Sequence, residues 1–305
     1  MKGRYILTIF TVILLSSFLV ACQGSSGEEE PSNKEENNNV SHEQEEESNE
    51  RIVATTVALT EIMDQLNIDL VGVPTSYKDL PDRYEDLTDT GNPMSPDMEV
   101  ILSLKPTEVY SVTTLLGDLE GAFDQYDVPV NFVDLTSVEA MFAEIEQIGE
   151  TYEREEEAEQ LVQTFDEKLA QIEEKTAGLE EPSVLILMGI PGSYIVGTEN
   201  SYIGDLVERA GGKNVIEGRD EEYIAANTEH LQQLDPDIIL RAAHGAPEEV
   251  VKMFDQEFKE NDIWTHFSAV QNDRVYDLEE SLFGTTANLA AEDALEELVQ
   301  LLHDK

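Results

Sequence analysis

Two residues of this sequence have settings that make them candidates for ligand binding. Met94 lies in residues 91–96 (GNPMSP), a loop that two prolines stiffen, where a methionine has little to pack against. His244 follows the apolar residues 238–240 and precedes a helix that begins at Pro247. Ligands of open α/β sheets bind where strands end and helices begin. By residue type and position alone, Met94 could still fill a gap in a core, and His244 could be a solvated surface histidine.

These two side chains define the chemistry that the sequence favours. A thioether and an imidazole that face each other across a cleft form a ligand set for haem iron. Zinc and manganese sites use several histidines and carboxylates instead, and residues 51–150 contain no histidine. The sequence has no G-x-S-x-G motif, no P-loop and no cysteine placed as a nucleophile. The residues therefore favour ligand binding over catalysis, and haem over a bare metal ion.

Short apolar segments alternate with helical patterns in both halves of the chain. Strands are predicted at 51–54, 70–73, 109–112, 128–133, 184–188, 238–240 and 275–276. Helices are predicted at 59–66, 98–104, 138–148, 203–210, 247–254 and 290–302, and a polar loop at 80–91. In 151–175, apolar residues recur every three or four positions, which predicts one long helix. The fold class is therefore α/β, with two αβ lobes that have central parallel sheets and are joined by one long rigid helix.

The first 22 residues have the layout of a bacterial lipoprotein signal peptide. Lys2 and Arg4 precede the apolar residues 6–20, a run shorter than the ~20 residues that a membrane span takes. Residues 19–22 (LVAC) place small residues before Cys22, the sole cysteine of the chain. This ending resembles the lipobox, in which the cysteine receives diacylglycerol. We expect lipidation of Cys22 and anchoring to the extracellular face of a Gram-positive-type cell membrane.

The chain is strongly acidic, with 66 Asp and Glu against 18 Lys and Arg and a net charge of −48 over 305 residues. Residues 23–50 contain ten Glu, one Lys and no aromatic residue, which predicts a disordered stalk. The acidity argues against nucleic acid and against membrane contact other than the lipid anchor. It is typical of adaptation to high salt or high pH.

The predicted domains are 1–22 signal peptide with lipobox, 23–50 acidic stalk, 51–150 N-terminal αβ lobe, 151–181 interlobe helix and 182–305 C-terminal αβ lobe.

Residues 51–302 resemble the IsdE-like haem-binding lipoproteins, which belong to the class III substrate-binding proteins of iron-siderophore, cobalamin and haem importers. The resemblance is carried by residues 55–60 (TTVALT), 74–78 (PTSYK), 91–96 (GNPMSP), 184–194 (VLILMGIPGSY), 201–207 (SYIGDLV), 227–229 (NTE), 236–241 (PDIILR), 244–245 (HG), 247–250 (PEEV) and 261–264 (NDIW). It implies a receptor, not an enzyme, that delivers haem to an ABC importer for iron acquisition. A ferric-siderophore receptor and a haem-modifying enzyme are the alternatives.

The resemblance also implies the site residues and the partners. Met94 and His244 are implied as the axial ligands of the iron of one haem b per chain. The implied pocket residues are Thr56, Val57, Ala58, Tyr77, Lys78 and Arg241. Lys78 and Arg241 are the cations suited to the haem propionates. Glu99 and Glu229, one from each lobe, are implied to dock on the ABC importer permease. A cell-surface haem donor protein is a further implied partner, and a monomer is expected.

Overall fold

The computed structural model describes residues 50–303, apart from the side chains of Thr228 and Glu229. The strands of this part of the chain are β1 (Ile52–Ala54), β2 (Leu70–Val73), β3 (Thr88–Asp89), β4 (Gly91–Asn92), β5 (Ser95–Pro96), β6 (Glu108–Val112), β7 (Val130–Val133), β8 (Ser183–Ile190), β9 (Ser193–Gly197), β10 (Lys213–Asn214), β11 (Tyr223–Ala225), β12 (Ile238–Ala243) and β13 (Val275–Leu278). The α-helices are α1 (Val57–Gln65), α2 (Met98–Leu104), α3 (Leu116–Gln125), α4 (Val138–Thr151), α5 (Glu155–Thr176), α6 (Tyr202–Arg209), α7 (Thr228–Leu234), α8 (Pro247–Glu260), α9 (Ser268–Gln271) and α10 (Ala291–His303).

The first sheet is parallel throughout and has the strand order β3-β2-β1-β6-β7. Because its strands are short and parallel, the segments that follow β1, β2 and β3 all emerge at one edge of the sheet. Ligand residues of parallel sheets are expected at that edge. The small hairpin of β4 and β5 lies outside this sheet and carries the loop predicted to bind a ligand.

The second sheet is mixed and follows the order β11-β9-β8-β12-β13, with β10 paired to β8. Its central strands β8, β12 and β13 are parallel, as predicted. The strands β9 and β11 are antiparallel additions that the sequence did not predict. A tight turn that contains Gly192 in the left-handed region (φ +83°) returns the chain from β8 to β9.

Helices α4, α5, α6 and α10 connect the two sheets through one continuous apolar core. The buried stripe of α5 consists of Ala158, Val162, Phe165, Leu169 and Ile172. These residues belong to the same buried cluster as Val112 and Val133 of the first sheet and Ile186 and Leu240 of the second. Since the core of a protein is packed as densely as a crystal, this shared cluster makes the connection between the sheets stiff.

The long helix begins later than the sequence predicts. Helix α4 runs to Thr151 and α5 begins at Glu155, with a break at Tyr152, Glu153 and Arg154. Glu153 adopts a left-handed conformation (φ 55°). The helices pack closely at the break, since a Cβ on Gly149 would lie 2.6 Å from the Cβ of Ala158. The predicted helix of 151–175 is therefore confirmed for 155–175 and wrong for its first residues.

Two further elements differ from the predictions. Helix α3 was not predicted, and the predicted loop at 80–91 contains a short 3-10 helix (Asp82–Tyr84) and the edge strand β3. Strand β3 forms because Thr88 and Asp89 pair with the end of β2, an interaction that depends on distant residues. Within residues 50–303, no helix has the length and apolar character needed to span a bilayer.

Candidate ligand-binding site

The residues predicted to form the site lie where parallel strands end. Thr56 follows β1, Tyr77 and Lys78 follow β2, and His244 follows β12 directly. Met94 belongs to the hairpin after β3. The strand order therefore gathers the residues from 56 to 94 at the edge of the first sheet, and His244 at the corresponding edge of the second.

Met94 is exposed at the tip of the β4–β5 hairpin. Its side chain is 59% exposed, so Met94 does not fill a core. The Oδ1 atom of Asn92 accepts the backbone N–H of Met94 at 2.9 Å and closes the turn. The hairpin is anchored to the chain after β2, because the backbone N–H of Thr75 donates to the carbonyl of Gly91 at 2.9 Å. The thioether is thus held on a short, fixed loop and is open to a ligand.

His244 continues the hydrogen-bond ladder beyond the end of β12. Its backbone N–H donates to the carbonyl of Gly189 in β8 at 2.8 Å, which fixes the backbone position of the residue. Burial lowers the pKa of His244; the charge of Glu280 opposes this shift and that of Lys78 adds to it. The environment therefore favours the neutral imidazole, which is the form that binds a metal.

Glu280 connects the two sides of the candidate site, and the sequence analysis missed it. Its backbone carbonyl accepts a hydrogen bond from Lys78 Nζ at 3.2 Å. Its carboxylate atom Oε1 accepts the backbone N–H of Gly245, the neighbour of His244, at 2.9 Å. Only 8% of Glu280 is exposed. This residue therefore joins the loop after β2 to the loop that carries the histidine.

Glu61 and Tyr77 are two further ionisable groups near this part of the site. Burial raises the pKa of Glu61 in α1, and the positive charge of Lys78 partly offsets the increase. Tyr77 is 69% exposed as a whole residue. The pKa of the Tyr77 phenol is raised, mainly by partial burial and to a smaller extent by a hydrogen bond to Glu280 and by the negative charge of Glu280. The positive charge of Lys78 therefore acts on both Glu61 and His244.

The N-terminus of α1 offers a second feature for an anionic group. Thr56 is its N-cap, and the Oγ1 atom of Thr56 accepts the N–H of Leu59 at 3.4 Å. Val57 and Ala58 form the first turn, where backbone N–H groups have no partner within the helix. Such a turn, at the positive end of a nine-residue helix, suits a carboxylate.

Arg241, which is predicted to serve a propionate, is engaged by acidic partners of the second lobe. Its guanidinium binds Asp277 through two hydrogen bonds of 2.7 and 2.6 Å and Asp255 through one of 3.1 Å. The same group lies over the rings of Phe254 and Phe258. Arg241 is 8% exposed, so its charge is buried and neutralised inside the second lobe.

Glu99 and Glu229 occupy matching backbone positions. Each is the second residue of a seven-residue helix, α2 or α7, that follows an Asp97 or Asn227 N-cap. Both helices end in a residue with a left-handed conformation, and a proline follows at positions 106 and 236. The side chain of Glu99 is exposed. The two helices are therefore equivalent elements of two similar lobes.

Some predictions fall outside the described residues. The signal peptide, Cys22 and the acidic stalk before Glu50 are among them. In residues 50–303, no group of three or more His, Cys, Asp or Glu side chains is arranged to hold a metal ion.

Residues 52–282 match the family model described as periplasmic binding protein. The high-affinity heme uptake system protein IsdE of Staphylococcus aureus (strain Newman) is 50% identical over 254 residues, which cover 83% of this chain and 87% of that protein. A crystal structure of S. aureus IsdE complexed with heme is 49% identical with a TM-score of 0.81 and covers 83% of this chain and 99% of that one. A crystal structure of an ABC transporter substrate-binding protein from Listeria monocytogenes EGD-e is 55% identical with a TM-score of 0.80. The match covers 84% of this chain and 99% of that one.

Proposed function

Since this chain belongs to the periplasmic binding protein family, we propose that it is a receptor that binds haem outside the cell and delivers it to an ABC importer. Its α/β fold, with two sheets and a long connecting helix, is the class III arrangement of substrate-binding proteins. The similarity to IsdE, in sequence and in the heme-bound structure, supports this function. The relatives are transport proteins, which favours a receptor over an enzyme.

The observation that carries the proposal is the contact of Lys78 with Glu280. The loop of Lys78 is joined to the Met94 hairpin through Thr75, and Glu280 is joined to the His244 loop through Gly245. This series of hydrogen bonds links the loop that carries the exposed Met94 thioether to the loop that carries the His244 imidazole, which supports the proposal that the two side chains face one cleft. In the proposal, Met94 and His244 bind the iron of one haem b from opposite faces.

The propionates of the same haem would be held by two different features. The free N–H groups of Val57 and Ala58 would donate hydrogen bonds to one carboxylate, and Lys78 would pair with the other. Tyr77, exposed beside Lys78, would contact the porphyrin face or edge. Asp255 and Asp277 already pair with Arg241, so the proposal assigns the propionates to the other two features.

The other parts of the proposal concern location and partners. Lipidation of Cys22 would tether the receptor to the extracellular face of the membrane, and residues 23–50 would allow the folded part to extend away from the membrane. Glu99 and Glu229 would each pair with a basic residue of the permease and set the orientation of the receptor. We propose that the receptor acts as a monomer and takes haem from a cell-surface donor protein.

A titration with hemin tests the central claim. The purified protein should take up one equivalent of hemin and develop a Soret absorption band distinct from that of free hemin. Gallium or ferric siderophores should not compete with hemin for the protein. A protein that leaves the spectrum of hemin unchanged would show that the proposal is wrong.

A further inference from the structure

Met94 differs from the other methionines of residues 50–303 in its exposure to solvent. Met94 is 59% exposed. Met98 and Met253 are half-buried and pack against the cores of the first and the second lobe. The methionines that are at most 1% exposed are Met63, Met141 and Met188. Since an oxidant must reach the sulfur, Met94 is the methionine of this part of the chain that is most open to oxidation.

The β4–β5 hairpin keeps the sulfur of Met94 in solvent. The pairing of the two strands leaves Pro93 and Met94 as the two residues of the turn. Pro93 fixes its own φ at about −65°, and the side chain of Asn92 accepts the N–H of Met94 at 2.9 Å. The base of the hairpin is closed by a hydrogen bond of 2.8 Å from the N–H of Asp97 to the carbonyl of Thr90. The backbone is thus fixed around Met94, and the side chain stays at the surface.

The charge around the hairpin favours one kind of oxidant. The chain has a net charge of −48, and the exposed Asp89 and Asp97 flank the hairpin. A negative surface repels anionic oxidants but not a small neutral molecule. Hydrogen peroxide is such a molecule, and it converts thioethers to sulfoxides. Peroxide is therefore the class of oxidant that the surroundings of Met94 admit.

We propose that Met94 is a site of reversible oxidation by peroxide and that its sulfoxide hinders haem capture, an inference that rests on the proposed function. One peroxide oxygen is transferred to the sulfur, so that an S–O bond forms, the O–O bond breaks and the other oxygen leaves as water. The thioether loses two electrons and the peroxide gains them. Because the sulfur has given a lone pair to oxygen, the sulfoxide no longer offers a thioether ligand to the iron.

Oxidation at this position can act as a switch because it spares the fold. An oxygen added to a buried methionine disrupts packing, whereas an oxygen on Met94 has room in the solvent. Methionine sulfoxide reductases, one for each sulfoxide epimer, restore the thioether with electrons from a dithiol and release the oxygen as water. A loss of haem capture in peroxide would also limit the entry of iron, which reacts with peroxide to give radicals.

The test treats the purified, haem-free protein with hydrogen peroxide, removes the peroxide and then adds hemin. Mass spectrometry of peptides gives the fraction of each methionine that has gained an oxygen. We expect Met94 to be oxidised severalfold faster than Met98 and Met253, in line with its exposure. Met94→Leu and Met253→Leu are matched variants, since each removes one thioether but only the first removes the proposed site.

Peroxide should lower the hemin affinity of wild type and of Met253→Leu about ten-fold and shift the visible spectrum of the bound haem, and the two reductases should reverse both effects. Met94→Leu should bind hemin equally well before and after treatment. The circular dichroism of the treated protein should match that of the untreated protein.

Three results overturn the inference: oxidation of Met94 no faster than that of Met253, unaltered hemin binding by protein fully oxidised at Met94, or a loss of folded structure on treatment. An equal effect of peroxide on hemin binding by Met94→Leu also overturns it, because other residues would then be responsible. Untreated protein that does not bind hemin instead refutes the proposed function, whatever the rates of oxidation are.

Discussion

The Nζ atom of Lys78 donates a hydrogen bond to the backbone carbonyl of Glu280 at 3.2 Å, across 202 residues of sequence. Lys78 follows a strand of the first sheet and Glu280 follows a strand of the second, so the bond crosses between the two lobes. The carboxylate of Glu280 in turn accepts the N–H of Gly245, next to His244. A cation suited to a propionate and the predicted histidine ligand are therefore linked through a single buried residue.

Replacement of Lys78 should weaken haem binding without a change of iron coordination. Lys78→Met removes the proposed propionate partner and keeps much of the apolar stem. Hydrogen bonds to charged groups contribute ~1.5–3 kcal/mol, so hemin affinity should fall about ten-fold or more. The Soret band of the saturated variant should match that of wild type. Lys175→Met, an exposed lysine on α5, is the control. Unaltered hemin affinity of Lys78→Met would contradict the propionate role.

Substitution of the predicted axial ligands, unlike that of Lys78, should change the coordination of the haem iron. Met94→Leu keeps an apolar side chain of similar size but removes the sulfur, and His244→Ala removes the imidazole. We expect each to shift the visible spectrum of the bound haem, because the ligand field of the iron changes. His266→Ala serves as the control, since His266 is exposed on a distant 3-10 helix. If both ligand variants keep the wild-type spectrum and affinity, the ligand assignment is wrong.

The pKa of His244 predicts how the site responds to acid. Burial lowers this pKa, with Glu280 opposing the shift. In the haem-free protein, NMR titration of the imidazole should therefore give a midpoint below the ordinary value of ~6.5. The unfolded chain then takes up the proton at higher pH than the folded chain does. The group consequently reduces the free energy of unfolding as the pH falls below ~6.5.

The Glu280→Gln variant gives a second test of the predicted pKa of His244. The variant removes the charge that raises the pKa of His244, so the midpoint should move further down. Glu279→Gln changes an exposed neighbour and should leave the midpoint where it is. A wild-type midpoint at or above the ordinary value, or an upward shift in Glu280→Gln, would contradict the assigned environment.

Local patterns predicted much of the fold, as two elements illustrate. The bounds of α2 follow from Asp97, whose side chain caps the helix, and from Pro106, which prevents its continuation. Strand β8 follows from an unbroken apolar run. Strand β3, by contrast, is two residues long and is defined by its pairing with the end of β2, about 16 residues earlier in the chain, so no local pattern of residues predicts it.

In the candidate site, too, local signals identify some residues, and contacts between residues far apart in the sequence determine others. Met94 and His244 could be singled out from their neighbours in the sequence, because prolines and strand ends are local signals. The partners of Arg241 could not be predicted, because Asp255 and Asp277 follow 14 and 36 residues later. Glu280 could not be found at all, since it is one of 66 acidic residues and its burial depends on contacts with Lys78 and Gly245.

The net charge of −48 predicts that the protein is more stable in salt. The screening length falls from about 10 Å at 0.1 M to about 3 Å at 1 M, so repulsion between surface carboxylates weakens over that range. Thermal unfolding, followed by circular dichroism, should give a midpoint that rises steadily with sodium chloride. Sucrose at matched osmolality is the control for general exclusion effects. A midpoint that stays constant up to 1 M salt would count against this account.

Charge reversal at Glu99 and Glu229 should abolish haem uptake in cells and leave haem binding intact. The two residues hold the same position in two equivalent helices, so they can meet two equivalent sites on a permease with matching symmetry. Exposed ion pairs contribute only ~0.2–1 kcal/mol each, but two fixed pairs also set the orientation of the complex and speed encounter. Each single reversal should therefore reduce uptake in part, and the double reversal should remove it. Reversal of the exposed pair Glu120 and Glu208, one from each lobe, controls for total charge. Uptake at the wild-type rate by the double variant, with a loss in the control, would place the docking surface elsewhere.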